Sequence, residues 1–150
     1  MCNRCLVEAE VHAETGKVNL LRMVNATDAG QIIDPIGLEG QLNGCWGAAG
    51  IDSALFEESI LDHRTGPMVN ADMIDYKGRT FAELPAIEHV VLETPFPSNR
   101  FRAVGVAEIP TSFGPSAVLM AVSSAVGPWL YRYPMTPDRV LKALSKGGAQ

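Results

Sequence analysis

The chain has 150 residues, of which 47% are hydrophobic and 19% charged, and its formal net charge is -5. This composition predicts one globular unit and excludes an intrinsically disordered chain. The negative charge, with no run of Lys or Arg, argues against nucleic acid or an anionic membrane as the main partner. Because no stretch approaches the roughly 20 apolar residues of a membrane helix and the first residues lack the charged-then-apolar order of a signal peptide, we expect a cytoplasmic protein.

The three cysteines, Cys2, Cys5 and Cys45, suit a reducing compartment. Cys2 and Cys5 form a C-x-x-C, a spacing found in metal and redox sites. Two cysteines make only half of a structural zinc site, and the histidines are scattered without ligand spacing. The strand-helix context of a redox C-x-x-C is also missing. We therefore interpret Cys2 and Cys5 as cysteines at the start of a strand and expect no metal-ligating side chains.

The first predicted elements are the two strands of a β-hairpin. β-branched and apolar residues in segments 6–13 and 17–27 are separated by a short turn that contains Gly16. A helix follows, because Asp34 is a good N-cap residue and Pro35 suits the first helical position. It continues for several turns without another proline.

Glycines recur along this helix at spacings of three and four, which places them on one face. They are Gly37, Gly40, Gly44, Gly47 and Gly50. Each costs about 0.5–1 kcal/mol relative to Ala in a helix interior. The pattern therefore predicts that either another backbone or a ligand approaches this face closely.

The second half predicts a long loop over residues 63–88, a short strand over 87–93 and two helices. The first helix is expected to begin at Ser112 and to end at Gly127. The second has Thr136 as its cap, Pro137 in the first position and Gly147 past its end. The fold class is thus α+β: a β-hairpin, a Gly-rich helix, a long loop and strand, and two C-terminal helices. Because the loop has little core of its own, we expect residues 1–150 to form a segment of a larger domain.

Two segments carry a family resemblance: LEGQLNGCWG at residues 38–47 and RAVGVAEIPTSFGPSAVLMAVSSAVG at residues 102–127. The predicted hairpin precedes them, and DYKGRTFAELPAIE lies between them. In this order they resemble the C-terminal part of the molybdopterin-binding large subunit of the molybdenum hydroxylases, the xanthine dehydrogenase and aldehyde oxidase family. The resemblance covers nearly the whole chain and implies that residues 1–150 are the C-terminal portion of a molybdopterin-binding domain.

The resemblance implies a site. Gly40 and Gln41 match a Gly-Gln pair that lies against the molybdenum cofactor in the family, and Gln41 offers both a donor and an acceptor without adding charge. Glu108 matches the active-site glutamate and would act as general base on a water-derived oxygen that attacks an electron-poor carbon. The implied substrate is a small molecule, an aldehyde or an N-heterocycle.

The residues before Glu108 are implied to contact the cofactor; they are Gly105, Val106 and Ala107. Ala107 stands where the family commonly has glycine, and its Cβ restricts a positive φ. Val104 stands where many members have lysine, so a charge that tunes the pKa of the glutamate is missing. Without the resemblance, Glu108 would be read as a solvated surface acid, as most loop acids are.

The implied cofactor is molybdopterin, alone or as its cytosine dinucleotide, with iron–sulfur clusters and FAD on partner subunits. The remaining molybdopterin-binding segment or subunit is a further implied partner. The glycine face thereby gains a second interpretation as the surface against which the pterin lies, with a phosphate of the cofactor favoured at the start of the helix. The alternative is a non-catalytic truncated remnant or a structural subunit of such a complex.

Overall fold

The computed structural model describes residues 3–147, and for residues 46–48, 109–110 and 146–147 it describes the backbone only. Cys2 therefore lies outside the described residues. The elements follow in the order β1 (Asn3–Val11), β2 (Val18–Asp28), α1 (Pro35–Asn43), a π-helix (Gly44–Gly50), α2 (Ile51–Leu55), a short 3-10 helix (Phe81–Glu83), β3 (Ala86–Leu92), α3 (Ile109–Val126) and α4 (Pro137–Gly147). The predicted α+β class is confirmed.

The three strands form one sheet in the order β1-β2-β3. β1 and β2 are the predicted antiparallel hairpin, and Gly16 in its turn has a φ of +71°, a conformation that glycine adopts without steric cost. β3 pairs with β2 in parallel, so the carboxyl ends of both strands meet at the same edge of the sheet. This edge carries the candidate site.

The start of the Gly-rich helix is as predicted. The Asp34 carboxylate accepts a hydrogen bond from Gly37 N over 3.0 Å, and Pro35 occupies the first turn. The prediction of one continuous helix is wrong in detail, because α1 passes into the π-helix at Gly44 and returns to α-helix at Ile51. A π-helix is rare, and such segments occur frequently at functional sites.

The prediction that the next helix begins at Ser112 is wrong. α3 begins at Ile109, so Glu108 is the N-cap residue and not the middle of a loop. Pro110 is compatible with this earlier start because the first helical N–H groups need no intrahelical partner. The predicted end at Gly127 is confirmed, with a φ of +94°. α4 begins at Pro137 as predicted and includes Gly147 as its last residue, whereas we had placed Gly147 beyond it.

One hydrophobic core joins the inner face of the sheet to the helices. Its fully buried members come from β2 (Met23), α1 (Leu42), α2 (Ile51), α3 (Val118 and Val122) and α4 (Val140). The long loop between α2 and β3 is held by an ion pair in which Arg79 Nε lies 2.9 Å from Asp52 Oδ1. Within the described residues, no helix is both long enough and apolar enough to span a membrane.

Candidate functional site

The candidate site lies beyond the carboxyl ends of β2 and β3. Ala29, directly after β2, donates its N–H to Leu92 O over 3.0 Å and accepts a hydrogen bond from Val104 N over 3.0 Å. Residues 29–34 and 102–107 are therefore held side by side at this edge of the sheet. Both segments face the first turns of α1, and a cleft opens among the three.

This Gln41 cleft has a volume of about 340 Å³. Three of the predicted cofactor-binding residues line it, Gln41, Val106 and Ala107. The rest of its lining is mostly apolar, and Gln31 and Gln41 contribute neutral amides that both donate and accept hydrogen bonds. The carboxylate of Asp34 also lines the cleft, which therefore suits a largely apolar group that forms a few directed hydrogen bonds and carries no negative charge near Asp34.

A second, more open cleft of about 460 Å³ is lined by Gly105, Ala107, Glu108 and Ser112. It shares Ala107 with the Gln41 cleft. Glu108 is exposed, and although it is the N-cap residue of α3, its side chain makes no capping hydrogen bond. The carboxylate is thus not engaged in a capping hydrogen bond and is open to this cleft.

A direct contact joins the two predicted halves of the site. Gln41 Nε2 donates a hydrogen bond to the carbonyl oxygen of Ala107 over 3.3 Å. The Cys45 thiol donates to the same oxygen, with Sγ 3.2 Å away. The Gly-rich helix thereby holds the residue that precedes Glu108.

Ala107 does not need the backbone conformation that a Cβ disfavours. Within residues 3–147, Arg102 is the one non-glycine residue with a positive φ, at 54°. Gly105 likewise has no positive φ, and a Cβ built on it would meet nothing within 4 Å. The departure from the family pattern at Ala107 is therefore accommodated without backbone strain.

The glycine face divides into two parts. Gly50 packs against Gly114 of α3, since a Cβ built on Gly50 would lie 3.3 Å from Gly114 Cα. A Cβ built on Gly40 or Gly44 would meet nothing within 4 Å. Close backbone packing therefore explains Gly50, whereas Gly40 and Gly44 leave open space of the kind that a ligand lying against the helix would need.

The start of α1 does not support the expectation of a phosphate there. The carboxylate of Asp34 already accepts the Gly37 N–H at this end of the helix, and a Cβ on Gly37 would lie 2.5 Å from its Oδ2. A phosphate at the same position would face this like charge. The Asp34 carboxylate already occupies the N-terminal end of α1, where the helix dipole favours negative charge.

The residues present fit the implied cofactor by the chemistry of their groups. The neutral amide of Gln41 in its cleft and the open backbone at Gly105 in the adjoining cleft match a pterin approached through hydrogen bonds, whereas Gly40 lines neither cleft. Among the described residues, no group of three or more His, Cys, Asp or Glu side chains is arranged to hold a metal ion.

Comparison with protein families agrees with this geometry. A family model of the molybdopterin cofactor-binding domain matches residues 1–85. The chain belongs to this molybdopterin cofactor-binding family. The matched residues include β1, β2 and the whole Gly-rich helix with Gly40 and Gln41. The resemblance to the molybdenum hydroxylases stated from the sequence is thus confirmed at the level of the family.

Relatives of this molybdopterin-binding chain are named as molybdenum-binding subunits. It is 33% identical over 142 residues to the xanthine dehydrogenase molybdenum-binding subunit of Escherichia coli O157:H7, covering 95% of this chain and 19% of that protein. It is 35% identical over 139 residues to the aldehyde oxidoreductase molybdenum-binding subunit of Escherichia coli K12, covering 92% of this chain and 19% of that protein. The chain therefore spans about a fifth of the length of these relatives.

Solved structures show the same fold. The crystal structure of quinoline 2-oxidoreductase from Pseudomonas putida 86 superposes with a TM-score of 0.84 at 28% identity, covering 92% of this chain and 18% of that one. The aldehyde oxidoreductase of Desulfovibrio gigas gives the same TM-score and identity, covering 95% of this chain and 15% of that one. The arrangement of sheet and helices in this molybdopterin-binding chain is therefore that of a segment of these larger enzymes.

Sequence reasoning missed two parts of this site. One is the segment 29–34, which lines the Gln41 cleft because β3 pairs with β2 in parallel, a long-range contact without a local pattern. The other is Cys45, whose thiol reaches Ala107. A signal for Cys45 was present, since it follows Gln41 by four residues and so lies on the same side of a helix.

Proposed function

We propose that residues 1–150 form the C-terminal portion of the molybdopterin-binding domain of a molybdenum hydroxylase, in which Glu108 is the general base. The substrate class is an aldehyde or an N-heterocycle, which takes up an oxygen atom from water. The relatives named as xanthine dehydrogenase and aldehyde oxidoreductase subunits support this class. The observation that carries the proposal is the hydrogen bond from Gln41 to Ala107, which joins the family's cofactor-side helix to the loop of Glu108.

Residues of this chain would hold the molybdenum cofactor along the Gln41 cleft. The Gln41 amide uses one N–H to hold Ala107, and its carbonyl oxygen and second N–H stay available for a neutral polar group of the cofactor. Gly105, in the adjoining cleft of Glu108, presents no side chain, so a bulky planar group can approach the backbone there, whereas Gly40 lines neither cleft. When bound, this cofactor supplies the redox chemistry by accepting the two electrons that leave the substrate.

Glu108 would supply the proton transfer. As the water-derived oxygen forms its bond to the electron-poor carbon, the carboxylate of Glu108 takes the proton from that oxygen. A well-positioned base of this kind contributes about 10²–10⁴ in rate. The carboxylate is exposed to the open cleft and is not engaged in capping α3, so it can meet a substrate there.

The rest of the enzyme would come from other segments or subunits. Large apolar side chains stand exposed on this chain, among them Ile36 at 83%, Met73 at 91% and Phe81 at 94%. A contiguous exposed apolar surface marks contact with further protein, and we propose that these side chains belong to such a surface. We propose the remaining molybdopterin-binding segment as that protein, with iron–sulfur and flavin subunits accepting the electrons. The term assembled enzyme denotes this complex below.

The test is to co-express the chain with the products of neighbouring genes and to purify the assembled enzyme. The wild type should contain molybdenum and oxidise aldehydes or N-heterocycles. Glu108→Gln should keep its molybdenum content and lose turnover by about 10²–10⁴, because the amide cannot accept the proton. Unchanged turnover would remove the role of Glu108. A complex without molybdenum would support the alternative, a non-catalytic remnant or structural subunit.

A further inference from the structure

The carbonyl oxygen of Ala107 is the meeting point of two side-chain donors. Gln41 Nε2 reaches it from α1 over 3.3 Å, and Cys45 Sγ reaches it from the π-helix over 3.2 Å. Because these residues are four apart, they lie above one another on the same side of the helical stretch. Two neutral donors thus converge on a single backbone acceptor in the loop.

This acceptor controls the direction in which the chain enters Glu108. The Ala107 carbonyl belongs to the planar peptide group that also contains the nitrogen of Glu108. A carbonyl held at two points fixes that plane, and with it the bond from the nitrogen to the Cα that carries the carboxylate side chain. The nearest backbone anchors on either side are the Val104 N–H to Ala29 and the Thr111 N–H to Glu108 itself.

We propose that Cys45 is a positioning residue for Glu108: its thiol, together with the amide of Gln41, holds the Ala107 carbonyl and so sets where the Glu108 carboxylate stands. This inference rests on the proposed function of Glu108 and adds a residue to it. With Gln41 as the single donor, the Ala107 peptide group could still rotate about that one hydrogen bond. A second donor from a different turn removes that freedom.

The thiol is suited to this task by its position. Cys45 is half-buried, and the structure records it as a free cysteine. It touches the loop through the backbone oxygen of Ala107, so it does not need to contact the substrate to act. Loss of the thiol should therefore change how the base is placed and leave substrate binding unaltered.

Two matched variants of the assembled enzyme test the proposal. Cys45→Ser keeps an O–H donor at the same position, whereas Cys45→Ala removes the donor with little change in volume. We expect Cys45→Ala to lower kcat by about 3–10-fold, the effect of losing one neutral hydrogen bond, with KM and molybdenum content unchanged. Cys45→Ser should restore kcat to within about twofold of the wild type.

Hydrogen exchange of peptides that span residues 104–111 gives a readout independent of turnover. The Thr111 N–H donates to the carbonyl oxygen of Glu108 over 3.1 Å, so its exchange should quicken if the loop loosens in Cys45→Ala and return toward the wild-type rate in Cys45→Ser. Equal loss of kcat in both variants would overturn the proposal, because it would assign the effect to packing and not to donation. Unchanged exchange and kcat in Cys45→Ala would overturn it as well.

Glu108→Gln, measured beside these variants, separates the two levels of inference. If Glu108→Gln loses turnover and Cys45→Ala does not, the results support Glu108 as the general base and contradict the positioning role of Cys45. If Glu108→Gln keeps full turnover, the proposed function of Glu108 falls, and the positioning of a base by Cys45 falls with it. Faster exchange in Cys45→Ala would then show only that the thiol orders the loop.

Discussion

Gly50 and Gly114 face each other where the π-helix crosses α3, with so little space between them that neither position admits a side chain freely. A Cβ built on Gly114 would lie 2.9 Å from Gly50 Cα, a distance that real Cβ contacts essentially never show. The neighbouring atoms belong to the backbone and cannot move aside as a flexible side chain would. The crossing thus fixes the Gly-rich helix, and with it Gln41 and Cys45, against the helix that begins after Glu108.

Gly114→Ala should destabilise the chain by about 1–3 kcal/mol, because the added methyl group forces two backbones apart. Urea unfolding followed by circular dichroism measures this change. Gly44→Ala is the matched control in the same glycine series. A Cβ there meets nothing within 4 Å, so the substitution should stabilise the helix by about 0.5–1 kcal/mol. Equal effects of the two substitutions would contradict the crossing described here.

The sequence predicted the parts of the fold that local signals specify. The turn at Gly16 and the start of α1 at Asp34 and Pro35 depend on neighbours within a few residues, and each was found where it was expected. The start of α3 differs from the prediction because Ser112 is a good N-cap residue by type, whereas Pro110 lies in the first turn of the helix. The parallel pairing of β3 with β2 depends on contacts across a long connection, and no local pattern contains it.

The candidate site shows the same division. The resemblance identified Gln41 and Glu108 from short motifs, and the structure brings Gln41 into contact with the residue before Glu108. The hydrogen bond itself was not predictable, because it depends on how far the Gly-rich helix lies from the loop. That distance is set by the packing of Gly50 against Gly114. The glycine spacing predicted a close approach to the helix but did not identify Gly114 as the residue that approaches it.

The ion pair between Asp52 and Arg79 should be the main anchor of the long loop. Both side chains are largely buried, with exposed fractions of 14% and 3%, and the Asp52 carboxylate also accepts the Arg79 backbone N–H over 3.2 Å. Burial lowers the pKa of Arg79, and the hydrogen bond that Arg79 Nε donates to the Asp52 carboxylate opposes that effect. The Asp52 carboxylate therefore helps to keep the guanidinium charged.

Asp52→Asn should destabilise the chain by about 3–5 kcal/mol, because removing the carboxylate of a buried ion pair is strongly destabilising. Limited proteolysis should then cut within residues 56–80 faster than in the wild type. Glu88→Gln breaks the exposed pair of Arg22 and Glu88 and serves as the control, with no resolvable change in either assay. Similar losses in the two variants would show that the buried pair has no special role.

The Cys5 thiol should be nearly unreactive in the folded chain. Burial raises its pKa from 9.0 to about 12, and the thiolate is the form that reacts with alkylating agents. At pH 8 the smaller thiolate fraction alone should slow alkylation by about 10²–10⁴-fold relative to the unfolded chain. The measurement uses a Cys2→Ser, Cys45→Ser double variant with a maleimide and mass spectrometry. Equal rates in native buffer and in urea would contradict the burial of Cys5.

His89 should make the stability of the sheet depend on pH. Its Nε2 lies 2.8 Å from Asn43 Oδ1 of α1, and its Nδ1 is buried without a hydrogen-bond partner in the described structure. Burial lowers the pKa of His89 below its usual 6.5, and Glu39 opposes this with a smaller effect. The folded state thus favours the neutral ring, whereas the unfolded state still binds a proton near pH 6.5.

Below pH 6.5 the unfolded state binds more protons than the folded state. The stability that the neutral His89 ring contributes is therefore fully present above pH 6.5 and is lost as the pH falls toward the lower, folded-state pKa. Urea unfolding of the chain between pH 8 and pH 5 should show stability falling at the acidic end. His89→Gln should flatten part of that fall, since the amide does not titrate. His63→Gln is the control at an exposed histidine and should keep the wild-type profile. If His89→Gln kept the wild-type dependence of stability on pH, protonation of His89 would not be the cause of the loss of stability in acid.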